Sequence, residues 1–265
     1  ARAALFDALL QIGGPQATSV LLQTMQTTAE PREVAVLARE LETLAPEQYR
    51  QEALSAARQA LAMAGSGKLE GADVGPLFEL MYKYGGTGVV PELEQAAKQW
   101  NYYATIALAQ LPDGAGIPAL IQIAQGTSAP KGNAVELLAQ TAPQYPEARA
   151  ALLDLARANK IPPSLWPYLT PLLAGGQYRY QDSAFDDSLT EGSRRARESG
   201  HVLSGNQHFY TAPDVGSLTP DQINQRMALI DDLRSATSDP VALNALQDSR
   251  DRLAKLLPAS VATTP

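Results

Sequence analysis

The sequence predicts an all-α protein built from antiparallel helix pairs stacked in series, an α-solenoid. Three observations lead to this prediction. Apolar residues recur at helical spacing along most of the chain, with short breaks rich in Gly and Pro between the runs. A unit of helix, break and helix at 5–25 returns near 84–97 and near 108–124. The chain is rich in Ala and Leu and only 6% aromatic, which is typical of helix packed on helix.

Length, charge and cysteine content exclude several classes of protein. With 265 residues, the chain can bury a sizeable core without covalent cross-links such as disulfides. A net charge of −7 argues against a general nucleic-acid binder, which needs a basic face. The absence of cysteine excludes disulfides, zinc–thiolate sites and thiol catalysis.

No apolar run approaches the roughly twenty residues that span a bilayer, so we expect no membrane insertion. The first residues enter a helix directly and lack the layout of a signal peptide. Both a cytoplasmic and an exported protein fit a chain without cysteine.

The first helix pair illustrates how the breaks work. Leu5, Leu9 and Ile12 lie at helical spacing, and their run ends at Gly13-Gly14. Gly is favoured directly after a helix, and Pro15 suits the first turn of the next one. The same reasoning predicts a third helix from Pro31 and a fourth over about 49–61. Further helices are predicted after Asp73 as an N-cap and near 89–98, 102–111, 117–124, 133–141, 147–158 and 164–173.

A pattern of two glycines followed by small and leucine residues occurs at 13–22 and again at 85–93. Over residues 1–175 the chain resembles HEAT or armadillo-like repeat proteins in this pattern. The resemblance implies a right-handed stack of helix pairs that serves as a scaffold for binding other macromolecules. It brings no catalytic residues to this chain.

The composition of the sequence changes after residue 175. The segment 176–217 is polar, mixes Tyr, Arg, Asp and Gly, and has no helical stripe, so we predict an irregular arm or linker. Its aromatic residues favour partial packing, because aromatics are depleted in disordered chains.

A helical hairpin is predicted over 218–258, followed by a frayed tail over 259–265. Thr219 and Gln222 have the spacing of a capping box, with Pro220 at the first helical position. A second helix is predicted to begin at Asp239-Pro240 and to carry Leu243, Leu246, Leu253 and Leu257. The predicted buried stripe of the first helix is Ile223, Met227, Ile230 and Leu233.

The glycine-rich breaks are predicted to be inter-helix turns. The run 65–68 has Leu69 where a phosphate-binding loop needs Ser or Thr, and the run 85–88 has no preceding strand. The two histidines, His201 and His208, lack a metal-ligand spacing. We therefore predict no catalytic residue, no metal and no cofactor.

Two groups of residues are candidates for partner binding. The first is aromatic and comprises Tyr82, Tyr84, Trp100 and Tyr103, since exposed Trp and Tyr are favoured at interfaces. The alternative for this group is packing in the core between repeats. The second group is basic and comprises Arg194, Arg195 and Arg197, with solvated charge balanced by nearby glutamates as its alternative.

The functional hypothesis is a non-enzymatic scaffold that binds another protein along the solenoid surface. A module that positions a neighbouring domain of a longer chain is a related hypothesis. The alternative is a helical-repeat hydrolase or lyase acting on polysaccharide, with its site in the 176–217 arm.

Overall fold

The computed structural model describes residues 2–69, 73–126, 132–180, 208–211 and 218–257. These residues are mostly helical, so the all-α prediction is confirmed at that level. The chain divides into two compact units, the first comprising Ala1–Ala115 and Arg179–Phe209 and the second comprising Gly116–Tyr178 and Tyr210–Pro265. The second unit contains both the helices after Gly116 and those after Tyr210, whereas the sequence predicted boundaries at residues 175 and 217.

The described residues of the first unit form seven α-helices. They are α1 (Arg2–Ile12), α2 (Gly14–Thr27), α3 (Pro31–Leu44), α4 (Arg50–Gly65), α5 (Gly75–Tyr84), α6 (Val90–Ala96) and α7 (Asn101–Gln110), with a 3₁₀ turn at Gly86–Val89 before α6 and another at Pro112–Gly114 after α7. Pro31 begins α3 as predicted, and the Glu30 side chain caps that helix by accepting hydrogen bonds from two backbone N–H groups.

The second unit contains six described α-helices. They are α8 (Ile117–Gln125), α9 (Gly132–Thr141), α10 (Pro146–Arg157), α11 (Trp166–Leu173), α12 (Pro220–Ala236) and α13 (Pro240–Ala254), with a 3₁₀ turn at Pro163–Leu165 before α11. The predicted capping box is confirmed, because Thr219 accepts from the backbone N–H of Gln222 and the Gln222 side chain accepts from the backbone N–H of Thr219.

Inside each unit, the extensive contacts join helices that are adjacent or next but one in the order of the described helices. In the first unit α3 packs on α2, α4 and α5, and α7 packs on α5 and α6. In the second unit α9 packs on α8, α10 and α11, while α12 packs on α10 and α13 packs on α11 and α12. The two last helices therefore continue the packing order of the helices before residue 175.

The glycine breaks end helices for two different reasons. Gly86 has φ +54°, a left-handed conformation that glycine adopts without strain. At Gly85, a Cβ atom would lie 2.1 Å from Cγ1 of Val89 and 2.7 Å from the carbonyl oxygen of Met81, so no side chain fits. Gly67, with φ +76°, lies in the turn that follows α4, as predicted for the 65–68 run.

The 176–217 segment was predicted to be irregular, and this is wrong at both of its described parts. Two short strands, β1 (Gln177–Tyr180) and β2 (His208–Thr211), pair in a two-stranded sheet. Each strand has only four residues, which is too short for an alternating pattern to be recognised among polar neighbours. Residues 181–207 and 212–217 lie outside the described residues.

Two predicted apolar stripes differ from the observed buried faces. On α12 Met227 is only half-buried, while Arg226 and Leu229 are buried. On α1 the buried side chain is Phe6, 3% exposed, whereas Leu5 is 58% exposed. Periodicity finds a helix reliably, but it does not tell which of two adjacent faces meets a neighbour.

Candidate functional site

A surface groove of about 710 Å³ lies in the first unit, between α4 and α6. We call it the α4–α6 groove. All of its lining residues lie between Arg58 and Trp100 in the sequence, so both walls of the groove belong to the first compact unit. The residues lining it are Arg58, Leu61, Ala62, Gly65, Met81, Pro91, Glu92, Gln95, Ala96, Lys98, Gln99 and Trp100.

The floor of the groove is apolar. Leu61 from α4 is 8% exposed and Met81 from α5 is 2% exposed, so both belong to the core that the groove opens onto. Trp100 is half-buried and stands immediately before α7. An apolar floor with a part-exposed indole is the lining that binding pockets favour.

Small side chains on α4 create the space above this floor. Ala62 and Gly65 are exposed and lie one helical turn apart, on the face of α4 that borders the groove. A Cβ atom on Gly65 would lie 3.2 Å from Cη2 of Trp100 and 3.3 Å from Oε1 of Gln99. The indole therefore approaches the α4 backbone so closely that alanine at this position requires the ring to shift.

The short helix α6 forms the opposite wall. It has only seven residues, begins with Pro91 in its first turn, and is anchored by Leu93, which is fully buried. After α6 a turn carries the chain to Trp100, whose backbone N–H donates to the carbonyl oxygen of Ala96. This turn holds Lys98 and Gln99 at the edge of the groove.

An ion pair connects the two walls. Arg58 of α4 donates from Nε and from Nη2 to the two carboxylate oxygens of Glu92 on α6, both at 2.8 Å. The side chains are 45% and 39% exposed, so the pair contributes at most about 1 kcal/mol to stability. The hydrogen bonds that Arg58 donates to Glu92 raise the pKa of Arg58, which keeps the guanidinium charged. The bidentate geometry fixes both side chains along the groove.

The edge of the groove carries one further positive charge. The Nζ of Lys98 donates to the amide oxygen of Gln95 at 2.6 Å. Gln95 is neutral, so this contact does not cancel the charge of Lys98, whereas Arg58 and Glu92 neutralise each other. The lining therefore has a net charge of +1, since it contains Arg58, Lys98 and one carboxylate, on a chain whose net charge is −7.

The predicted aromatic group separates into core and surface members. Tyr103 is 9% exposed and stacks on Phe78, with ring centroids 5.9 Å apart and planes at 10°. Its hydroxyl donates to Oδ1 of Asp73 at 3.1 Å. Trp100 meets Phe78 edge-on at 6.0 Å and 66°. Tyr103 thus packs in the core, whereas Trp100 is supported by the core and borders the groove.

Tyr84 and Tyr82 lie elsewhere on the first unit and do not line the groove. The Tyr84 ring is half-buried, and burial raises the pKa of its hydroxyl well above the ordinary value. The guanidinium of Arg50 lies 5.4 Å from this ring and also binds both carboxylate oxygens of Glu42. Tyr82 is half-buried, with Nζ of Lys83 5.7 Å from its ring. The basic group Arg194, Arg195 and Arg197 lies outside the described residues.

Sequence reasoning did not find a buried carboxyl group in the second unit. Glu136 on α9 is 8% exposed, and burial raises its pKa to about 6, while a hydrogen bond from the Tyr178 hydroxyl acts in the opposite direction. The backbone N–H of Tyr178 donates to the amide oxygen of Gln140 at 2.8 Å. A carboxyl group covered in this way positions the start of β1 and is inaccessible to a substrate.

Buried polar groups also join the last two helices to α11. Arg226 on α12 is 9% exposed and donates from Nη1 to the carbonyl oxygens of Leu173, at 2.9 Å, and Leu172, at 3.5 Å. Burial lowers the pKa of this guanidinium. Ser249 on α13 donates to the carbonyl oxygen of Thr170 at 3.0 Å. These donors add side-chain hydrogen bonds at the end of α11, where the carbonyl oxygens of Thr170 and Leu172 also accept from the backbone N–H groups of Ala174 and Gly175.

Among the described residues, no three His, Asp or Glu side chains cluster as metal ligands would, and no helix has the length and apolar character needed to cross a membrane. No protein-family model, no curated protein and no solved structure matches this chain.

Proposed function

We propose that this chain is a non-enzymatic helical-repeat protein of the α-solenoid type that binds a segment of another protein in the α4–α6 groove. The solenoid proposal is supported by the packing order of the helices. In each unit the extensive contacts join helices that are adjacent or next but one in the order of the described helices, and this order holds even where α12 and α13 follow α11 after more than forty residues. Such nearest-neighbour packing is the defining property of stacked repeats, whose surfaces typically bind extended partners.

The groove itself is the observation that supports binding. Its volume of about 710 Å³ falls within the range of roughly 300–1,000 Å³ that is usual for ligand sites. Met81 and Trp100 provide an adaptable thioether and a large aromatic surface, both of which are enriched where proteins bind partners. The Arg58–Glu92 pair fixes the distance between the two walls.

The charge and shape of the lining indicate what the partner segment contains. The apolar floor at Leu61 and Met81 accepts a large apolar side chain beside the face of Trp100. The uncancelled charge of Lys98 attracts a carboxylate, because the remaining charges of the lining neutralise each other. The proposed partner is thus a protein segment with an apolar residue next to an acidic one.

The enzymatic alternative concerns the 176–217 arm. Most of that segment lies outside the described residues, and no observation on the described ones favours catalysis. Glu136, a carboxyl group whose pKa is raised to about 6, is buried beneath Tyr178.

A displayed library of random peptides, selected on the immobilised 265-residue chain, tests the proposal. Ala62→Arg places a long side chain in the groove from an exposed helical position and leaves the core intact. Gln59→Arg is the matched control, since Gln59 is exposed on the same helix, lies outside the lining and receives the same charge change.

We expect selected peptides to pair apolar with acidic residues and to bind Ala62→Arg at least about tenfold more weakly than wild type, a difference of about 1.4 kcal/mol. Binding to Gln59→Arg should remain unchanged. A selection without binders, or peptides that do not distinguish the two variants, would overturn the proposal.

A further inference from the structure

A second surface with unusual properties lies on the first helix pair. The chain has no charged residue from Ala8 to Ala29, although charged residues make up 18% of the sequence. Five large hydrophobic side chains are markedly exposed among the described residues, and three of them belong to α1 and α2. These three are Leu5, 58% exposed, Ile12, 76% exposed, and Val20, 46% exposed.

The exposed apolar residues of α1 share one side of that helix. Leu5, half-buried Leu9 and Ile12 are spaced by four and three residues, which places them above one another on one face. Phe6 lies about 100° away from Leu5 around the helix axis and is buried, in a unit where α1 packs on α2 and α3. The contacts inside the unit therefore use the Phe6 side and leave the Leu5–Ile12 side open.

Charge indicates which partner suits this face. Each copy of the chain carries −7 and repels another copy over most of its surface. The 8–29 segment, which contains Leu9, Ile12 and Val20, has no charge, so two copies approach there without placing like charges opposite each other. The two charged residues of α1, Arg2 and Asp7, both precede this segment. The centres of interfaces between identical subunits are also apolar and depleted in charge.

We propose that the surface of the first helix pair, which exposes Leu5, Leu9 and Ile12 on α1 and Val20 on α2, binds the same surface of a second copy of this chain, forming a weak symmetric dimer. A two-fold axis makes such a patch self-complementary, because each residue meets its counterpart or a neighbour of its counterpart. This surface is distinct from the α4–α6 groove, so the dimer neither requires nor excludes partner binding there.

The size of the face sets the expected affinity. The 14 residues of α2 make a helix about 21 Å long, and two adjacent helices are about 20 Å wide, which gives roughly 400 Å² per copy. A standard stable interface buries about 800 Å² per partner. The dimer should thus be weak and dissociate on dilution. Because area alone does not fix affinity, the measurement covers a Kd range on the order of 10–100 µM and a decade to either side.

Sedimentation equilibrium at protein concentrations spanning this Kd range tests the proposal. For wild type we expect the weight-average mass to rise from the monomer value of 28.2 kDa towards twice that value. Ile12→Glu should remain monomeric, because the dimer would bring two negatively charged glutamate side chains, one from each copy, together near its two-fold axis. The matched control Gln59→Glu introduces the same charge on α4 and should associate as wild type does.

A cross-linking measurement tests the same contact by a separate readout. The chain has no cysteine, so Ile12→Cys and Gln59→Cys each introduce a single thiol at an exposed position. Mild oxidation should give a disulfide dimer of Ile12→Cys many times faster than of Gln59→Cys. Equal rates, a wild type that stays monomeric, or an Ile12→Glu variant that still associates would each overturn the dimer.

Discussion

The two compact units differ in how far along the sequence their buried polar contacts reach. Both units carry exposed ion pairs and both bury polar side chains. In the first unit, the buried carboxyl group of Glu40 pairs with its sequence neighbour Arg39. In the second unit, buried Glu136, Arg226 and Ser249 contact residues 42 to 79 positions away. These long-range contacts hold together elements of the second unit that are distant in sequence.

The difference follows from the chain path. Helices α1 to α7 follow one another through short links, so local packing is sufficient to position them. In the second unit, α12 and α13 return to α10 and α11 after more than forty intervening residues. Arg226 and Ser249 supply directional contacts to the end of α11 that apolar packing alone does not provide.

The largest expected effect is in the aromatic core of the first unit. Phe78→Ala should lower the free energy of unfolding by about 3–5 kcal/mol, because Phe78 is fully buried and supports both Trp100 and Tyr103. Phe78→Leu keeps most of the volume and should cost less than about 1.5 kcal/mol. Urea denaturation measures both, and equal losses for the two variants would contradict packing as the source of stability.

A pH-dependent effect is expected in the second unit. The pKa of Glu136 is about 6 in the folded protein against 4.5 ordinarily, so folding favours the protonated form. Its stabilising contribution is complete below about pH 4.5 and is lost as pH rises through 6, a change of about 2 kcal/mol.

Comparison of wild type with Glu136→Gln isolates this contribution, because Gln stays neutral and still accepts from Tyr178. The stability of wild type relative to the variant should fall between pH 4 and pH 7, as followed by urea denaturation at each pH. A constant difference across this range would show that Glu136 does not titrate as its burial requires.

A smaller effect is expected at Arg226. Arg226→Met keeps the side-chain length but removes the donor to the carbonyl oxygens of Leu172 and Leu173, and should cost about 1–2 kcal/mol. Hydrogen exchange should show the loss concentrated in α11 and α12. If Arg226→Met is instead more stable than wild type, desolvation of the guanidinium outweighs its hydrogen bonds, and Arg226 does not stabilise the second unit.

The smallest effect is expected at the rim of the groove. Arg58→Met should change the free energy of unfolding by less than about 1 kcal/mol, since both partners of the ion pair are more than one third exposed. The same variant should weaken binding of a selected peptide, because the wall loses its link to Glu92. A large stability loss would place Arg58 among the groups that hold the fold rather than the groove.

Helix boundaries were the most predictable part of this molecule. Pro31, Pro220 and Pro240 each lie at the first position of a helix, as expected from fixed φ and the missing N–H. Proline and glycine act locally, so their effects are readable without knowledge of the neighbouring helices. The capping box at Thr219 is predictable for the same reason.

The groove and the buried polar contacts were beyond prediction because they depend on distant residues. Gly65 and Trp100 are far apart in sequence, and their close approach sets the shape of the groove. Arg226 was not in the predicted buried stripe of its helix because periodicity follows apolar residues only, although carbonyl groups of α11 make its burial acceptable. Of the four predicted aromatic residues, only Trp100 lines the groove.

Trp100 fluorescence during titration with a selected peptide tests partner binding in the groove most directly. The chain has two tryptophans, and the other, Trp166, is 1% exposed and should not respond. We expect a saturable blue shift in wild type that is absent in Trp100→Phe and weakened in Ala62→Arg. A peptide that binds without changing Trp100 emission, or that shifts Ala62→Arg as it shifts wild type, would contradict binding in this groove.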